Sequence, residues 1–99
     1  MFLAACDGDK VVGFILAKVY YRENIGRKVK LGYLSEIFVT KKYRGNGIAT
    51  LMWQEVVKWL KQEKVKFFQL HVLYENKGPQ QIYKKWGFKP FGIRMMRKI

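Results

Sequence analysis

The chain has 99 residues, of which 49% are hydrophobic and 27% charged, and we predict one folded domain over residues 1–99. The 20 lysines and arginines against 7 aspartates and glutamates give a net charge of +13, which favours anionic partners such as nucleic acid, ribosomes or a phosphorylated ligand. No apolar run approaches the ~20 residues that a bilayer requires, and the N-terminal residues are not typical of a secretory signal. The single cysteine, Cys6, excludes an internal disulfide. We expect it to be a small buried residue in a cytoplasmic protein.

The first 40 residues predict three strands. Residues 2–5 and 11–20 are expected to pair as a hairpin around the turn Asp7-Gly8-Asp9-Lys10, in which the glycine supplies a positive φ. Residues 21–28 are predicted to form a solvated loop, and residues 29–39 a third strand. This strand is mostly apolar and carries one carboxylate, Glu36.

The second half of the chain changes to a helical pattern. Apolar residues recur at three- and four-residue spacing over residues 48–63 and predict an amphipathic helix. Residues 67–73 are predicted to be a strand, and Pro79 and Gly87 to mark the first position and the end of a short helix. Residues 88–99 are expected to be extended or hairpin structure. This order predicts an α+β fold with a mostly antiparallel sheet, in which the strands on either side of the first helix are parallel.

A glycine-containing turn joins the third strand to the first helix. Its sequence is Lys42-Tyr43-Arg44-Gly45-Asn46-Gly47-Ile48-Ala49. Two glycines around one residue permit a tight turn and a close approach of a ligand to the backbone, and the N-terminus of a helix favours a pyrophosphate. The pattern is not GxGxxG, because Thr50 stands at the third glycine position, and no GK[ST] follows to make a P-loop. Taken alone, it is more often an ordinary strand-to-helix turn.

Two motifs resemble the GNAT superfamily of N-acetyltransferases. Residues 37–49 resemble its acyl-CoA-binding motif, a strand followed by [Q/R]-x-x-G-x-[G/A] that opens a helix, with Lys42 at the Gln/Arg position. Residues 76–88 resemble its N-x-x-A-x-x-[L/I]-Y-x-x-x-G-F segment, with Pro79 in place of the alanine. The family's N-terminal strand and two helices, which lie over the acceptor site, have no counterpart here. We therefore expect either a minimal member of the family or a fragment of one.

The resemblance implies acetyl-CoA-dependent transfer of an acetyl group to a primary amine by direct attack on the thioester, with no metal. It implies a twisted sheet whose parallel strand pair is splayed around the cofactor. The implied cofactor-binding residues are Ile37, Phe38, Val39, Lys42, Arg44, Gly45, Asn46, Gly47, Ile48, Ala49, Asn76 and Tyr83. Tyr83 is expected to be the general acid that protonates the leaving thiolate. Glu36 is expected to take the proton of the amine or to bind a cationic acceptor, with His71 and Glu75 in reserve.

Each of these side chains also has a plainer interpretation. Tyr83 falls in the apolar stripe of its short helix, where a tyrosine is more often part of a core. Glu36 is equally typical of a strand residue that faces solvent. A lone strand histidine such as His71 is more often structural than catalytic.

Two other functions suit the whole chain. A non-enzymatic nucleic-acid-binding module would use the charge of +13 together with exposed aromatic residues such as Tyr20, Tyr21 and Trp53. A CoA-binding domain without catalysis would keep the same motifs. Because the covering helices are unmatched, we also expect an apolar edge or face of the sheet to seek a partner, and we predict a homodimer.

Overall fold

The computed structural model describes residues 1–24 and 26–99, which fold into a four-stranded mixed sheet with two helices. Its elements are β1 (Phe2–Asp7), β2 (Lys10–Asn24), β3 (Arg27–Val39), a 3-10 helix (Lys41–Tyr43), α1 (Ile48–Gln62), β4 (Phe67–Gln69) and α2 (Lys77–Lys85). The strands lie in the order β1-β2-β3-β4, with β1, β2 and β3 antiparallel and β4 parallel to β3. The predicted α+β class and its parallel strand pair are therefore confirmed.

Helix α1 packs its apolar stripe against one side of the sheet. The core consists of Ile15, Ala17, Leu34, Met52, Val56 and Leu60. Side chains alternate between the two sides of a strand, so the residues next to these core positions lie on the opposite side. We call that side, which carries Phe14, Lys18, Tyr33, Glu36 and Phe38, the far face.

Strand β3 contains an extra residue at its middle. Leu16 pairs with Glu36 but Ala17 pairs with Leu34, so Ser35 has no partner of its own in β2. A bulge of this kind bends a strand and changes its twist. Parallel pairing with β4 ends at Tyr33, opposite Gln69, and the following residues of β3 border a gap rather than another strand.

The β2–β3 hairpin is longer than predicted. Residues 21–24 and 27–28 were expected in a solvated loop, but they continue the strands, because cross-strand pairing satisfies their backbone groups despite a polar composition. Ile25, also in that expected loop, lies outside the described residues. Cys6 is exposed rather than buried. Its neighbour Ala5 packs against the core, and alternation along β1 turns Cys6 away from it.

The last third of the chain is less regular than predicted. The strand expected over residues 67–73 ends at Gln69, where its pairing with β3 stops. Helix α2 begins at Lys77, so Pro79 is its third residue instead of its first; the missing N–H of proline is tolerated there, because first-turn N–H groups have no intrahelical acceptor. Residues 88–99 contain no regular structure, since the short β4 offers them little backbone to pair with.

Candidate active site

The turn between β3 and α1 leads into backbone N–H groups that have no intrahelical acceptor. Gly45 and Gly47 have φ values of 80° and 78°, which glycine adopts at little cost, and no atom lies within 4 Å of a Cβ built at either residue. The Leu51 N–H donates to the Gly47 carbonyl at 3.0 Å, so the N–H groups of residues 48–50 precede the first intrahelical bond. The first turn of α1 has no acidic residue. The local chemistry therefore favours an anion.

Side chains hold this turn in place. Arg44 Nε donates to the Val39 carbonyl at 2.8 Å, and Asn46 Nδ2 donates to the Tyr43 carbonyl at 3.1 Å. The Tyr43 hydroxyl donates to Asp7 Oδ2 at 2.7 Å, and this hydrogen bond raises the pKa of Tyr43. The contact between Tyr43 and Asp7 joins the turn to the β1–β2 hairpin. The conformation of the turn is therefore stabilised both by contacts within the turn and by this hairpin.

A cleft of about 560 Å³ opens where β3 separates from the segment after β4. Its lining residues are Phe14, Leu34, Ser35, Glu36, Ile37, Phe38, Leu70, His71 and Tyr83. Ile37, Leu70 and Tyr83 also pack against the α1 core, whereas Glu36 and Phe38 belong to the far face. The cleft therefore gives access to both sides of the sheet.

Tyr83 lies on the helix side of this cleft. Its ring is 5.8 Å from that of Trp86 and 6.1 Å from that of Phe88, measured between centroids. Burial raises the pKa of Tyr83, because the phenolate is solvated less well than in water. The side chain is thus a packed residue that also borders the cleft.

His71 lines the cleft on the far face and is hydrogen-bonded to Tyr33, which lies outside the cleft lining. The Tyr33 hydroxyl oxygen and His71 Nδ1 are 2.6 Å apart, and Lys18 Nζ lies 5.4 Å from the centroid of the Tyr33 ring. The sequence alone did not single out Tyr33. Tyr33 could be recognised only from the parallel pairing of β3 with β4. This pairing places Tyr33 opposite Gln69, and His71 follows Gln69 by two residues. His71 is therefore oriented by a partner and is not isolated.

The structure brings together most, but not all, of the predicted site residues. Glu36, Ile37, Phe38 and Tyr83 meet around the cleft. The turn residues are Lys42, Arg44, Gly45, Asn46, Gly47, Ile48 and Ala49, and they follow Val39 at the end of β3. Asn76 is exposed at the N-cap of α2 and does not line the cleft. Glu75 is exposed beside it.

Residues 1–24 and 26–99 contain no group of three or more histidine, cysteine, aspartate or glutamate side chains that could hold a metal ion. Within the same ranges, neither helix has the length and apolar character needed to cross a membrane.

Curated relatives of this chain are N-acetyltransferases by name. An uncharacterised N-acetyltransferase of Methanocaldococcus jannaschii is 32% identical over 103 residues, which cover 99% of this chain and 45% of that protein. The N-alpha-acetyltransferase of Sulfurisphaera tokodaii is 32% identical over 93 residues, which cover 89% of this chain and 55% of that protein. The chain thus spans about half the length of these relatives.

A solved structure and a family profile agree with this similarity. The aminoglycoside N-acetyltransferase AAC(6')-Iy, in complex with a bisubstrate analogue of CoA, matches with a TM-score of 0.82 and 21% identity over 99% of this chain and 68% of that one. At this identity the match shows the fold. The profile of the acetyltransferase (GNAT) family matches residues 1–88. The chain therefore belongs to the GNAT acetyltransferase family.

Proposed function

We propose that this chain binds acetyl-CoA and transfers its acetyl group to a primary amine by direct attack on the thioester. The observation that carries the proposal is the cleft beside β3, which has Tyr83 on its helix side and a histidine and a carboxylate on its far face. The glycine turn at the end of the same strand supplies an anion site next to it. Membership of the GNAT family supports the same reaction.

The cofactor would lie along the second half of β3. Its pyrophosphate would accept hydrogen bonds from the N–H groups of residues 48–50, with the exposed cations of Lys42 and Arg44 nearby. Its pantetheine arm would run beside residues 37–39, where the strand borders the cleft and its edge can bond the amide groups of the arm. Asn76 is exposed at the start of α2 and does not line the cleft, and we propose that it helps to anchor the arm.

The acetyl transfer needs four events at this cleft. The neutral amine attacks the thioester carbon, and the carbonyl oxygen becomes an oxyanion that backbone N–H groups of the β3 edge can stabilise. The C–S bond then breaks, and the Tyr83 hydroxyl gives its proton to the thiolate sulfur. The attacking nitrogen loses a proton to a base on the far face. Tyr83 suits its role, because its raised pKa keeps it protonated at neutral pH.

His71 and Glu36 share the far face of the cleft, and we assign them different tasks. If His71 Nδ1–H donates to the Tyr33 hydroxyl, the free lone pair of the imidazole is on Nε2 and can accept the amine proton. Tyr33 is then a positioning residue that selects the tautomer. Glu36 is exposed and carries the negative charge that attracts the ammonium form of the acceptor.

The alternative of a nucleic-acid-binding module loses part of its support. Trp53 was expected to offer an exposed stacking surface, but its ring stacks against those of Phe68 at 5.2 Å and Trp86 at 5.1 Å. Tyr20 is also only partly exposed, and its hydroxyl donates to Gln69 Oε1 at 2.8 Å. These two rings pack within the fold and are not free to stack on a base, whereas Tyr21 is 63% exposed, as expected.

The deciding experiment is calorimetric titration of the chain with acetyl-CoA, and separately with duplex DNA. We expect micromolar binding of acetyl-CoA that is lost in a Gly45→Glu/Gly47→Glu variant, because two carboxylates would occupy and repel the pyrophosphate site. Gly8→Glu is the matched control, since Gly8 is also exposed and also has a positive φ, of 61°, but lies in the turn between β1 and β2. DNA binding without acetyl-CoA binding would favour the nucleic-acid module and contradict the proposal.

Four broader predictions about the chain accompany this function. The homodimer is tested by sedimentation, where a monomer at all concentrations down to micromolar would contradict it. The cytoplasmic location is tested by cell fractionation. The single domain over residues 1–99 is tested by limited proteolysis. An acidic or ribosome-associated acceptor stays a prediction from the charge of +13.

A further inference from the structure

We propose that the far side of the cleft selects an acceptor with one positive charge and a large apolar group, preferably an aromatic ring, close to its primary amine. The inference rests on the proposed acetyl transfer, because the acceptor must reach the thioester in the same cleft. It goes further by naming the chemical class of the amine.

The apolar part of the site is a row of three phenyl rings. The Phe2 and Phe14 rings lie 5.7 Å apart and the Phe14 and Phe38 rings 5.9 Å apart, measured between centroids. Phe14 and Phe38 line the cleft, and Phe38 stays 47% exposed. Aromatic pairs at such distances are favourable, so a ring of the acceptor can extend the row at low cost.

The charged part of the site is a single carboxylate. Glu36 is the one acidic residue in the lining of the cleft within the described ranges. It lies two positions before Phe38 on the same face of β3, so the two side chains start about 7 Å apart. An amine joined to an apolar group by a linker of one to three carbons would contact both.

Nearby cations disfavour an acceptor with several charges. Lys18 lies over the Tyr33 ring at 5.4 Å, and the Arg44 guanidinium lies over the Phe38 ring at 5.8 Å. They stand on either side of Glu36 along the far face, and the whole chain carries +13. A second ammonium group beyond the first would therefore meet repulsion.

The test compares kcat/KM for 2-phenylethylamine, ethylamine and spermidine with saturating acetyl-CoA. We expect the wild type to prefer 2-phenylethylamine over ethylamine by about tenfold, a difference of about 1.4 kcal/mol, and to use spermidine least. Phe14→Ala and Phe14→Leu should both reduce that preference to less than about threefold, while the Kd for acetyl-CoA stays unchanged. The leucine variant is included because it keeps an apolar side chain at this position if alanine weakens the fold. Phe67→Ala, which removes a phenyl ring that is 64% exposed outside the cleft, is the matched control and should keep the full preference.

A second set of substrates tests whether the amine belongs to the N-terminus of a polypeptide. Peptides that begin with Phe or with Gly are offered in the same assay, and a preference for Phe that Phe14→Ala removes would support the proposed class at a polypeptide N-terminus. Equal use of all three free amines, or a preference for spermidine, overturns the inference and leaves the proposed function intact. Failure to bind acetyl-CoA overturns both.

Discussion

Tyr83 is the residue on which the proposed chemistry depends most. Its ring is packed against Trp86 and Phe88 and it also borders the cleft. We expect Tyr83→Phe to lower kcat by about 100-fold, the effect typical of removing a general acid, with little change in the Kd for acetyl-CoA. Steady-state kinetics and calorimetry on the same preparations measure the two effects. Full activity of the variant would exclude Tyr83 as the acid.

The raised pKa of Tyr83 also predicts how stability depends on pH. Because burial raises the folded-state pKa above the ordinary value of 10.0, the unfolded phenol loses its proton first, and stability falls as the pH rises through and above that value. Below pH 10 the residue contributes no pH dependence. Urea unfolding at pH 8 and at pH 10.5 should therefore show a smaller loss in Tyr83→Phe than in the wild type. Equal losses would contradict the shift.

The glycines of the turn give a second prediction for single residues. Gly47 has a φ of 78°, so we expect Gly47→Ala to destabilise the fold by about 1–2 kcal/mol through backbone strain. Gly78 lies inside α2 without a positive φ, so Gly78→Ala should stabilise by about 0.5–1 kcal/mol. Chemical denaturation of both variants checks the opposite signs. Two changes of the same sign would mean that the turn is not held in this conformation.

At the scale of an element, α1 shows how sharply its two faces differ. Met52 is 3% exposed and belongs to the core, whereas the preceding Leu51 is 63% exposed. We expect Met52→Ala to cost about 2–5 kcal/mol and Leu51→Ala to stay within about 0.5 kcal/mol of the wild type. Thermal and urea unfolding of the two variants measure the difference. A large cost at Leu51 would indicate that a partner covers this face in solution.

At the scale of the whole molecule, the charge of +13 acts against compaction. Over residues 1–24 and 26–99 the ion pairs are Lys30–Glu63 and Lys58–Glu55, and the side chains of the second pair are 69% and 55% exposed. Such pairs contribute little, so repulsion between cations is the larger effect. We expect Tm to rise between low and moderate NaCl concentrations as salt screens this repulsion. A falling Tm would show that ion pairs dominate instead.

Local sequence determined those parts of this protein whose structure depends on close neighbours. The turn before α1 follows from glycines at positive φ ahead of an amphipathic helix, and Gly87, with a φ of 94°, ends α2 as predicted. Tyr83 could be named as a candidate because it stands inside a recognisable motif, and Glu36 because it is a carboxylate in a mostly apolar strand. Each motif extends over a few turns of helix or one strand, and the local structure of such a short segment follows from the pattern of its own residues.

Only the tertiary structure decided what depends on contacts between distant residues. The end of β4 at Gln69 is defined only by its pairing with β3, and the extra residue in β3 only by its pairing with β2. Tyr33 and His71 are 38 residues apart in the chain, and they meet because of one register of parallel pairing. The position of Asn76 outside the cleft is likewise invisible in its motif. Strand register and strand ends are set by non-local hydrogen bonds and side-chain packing, so no short stretch of sequence contains them.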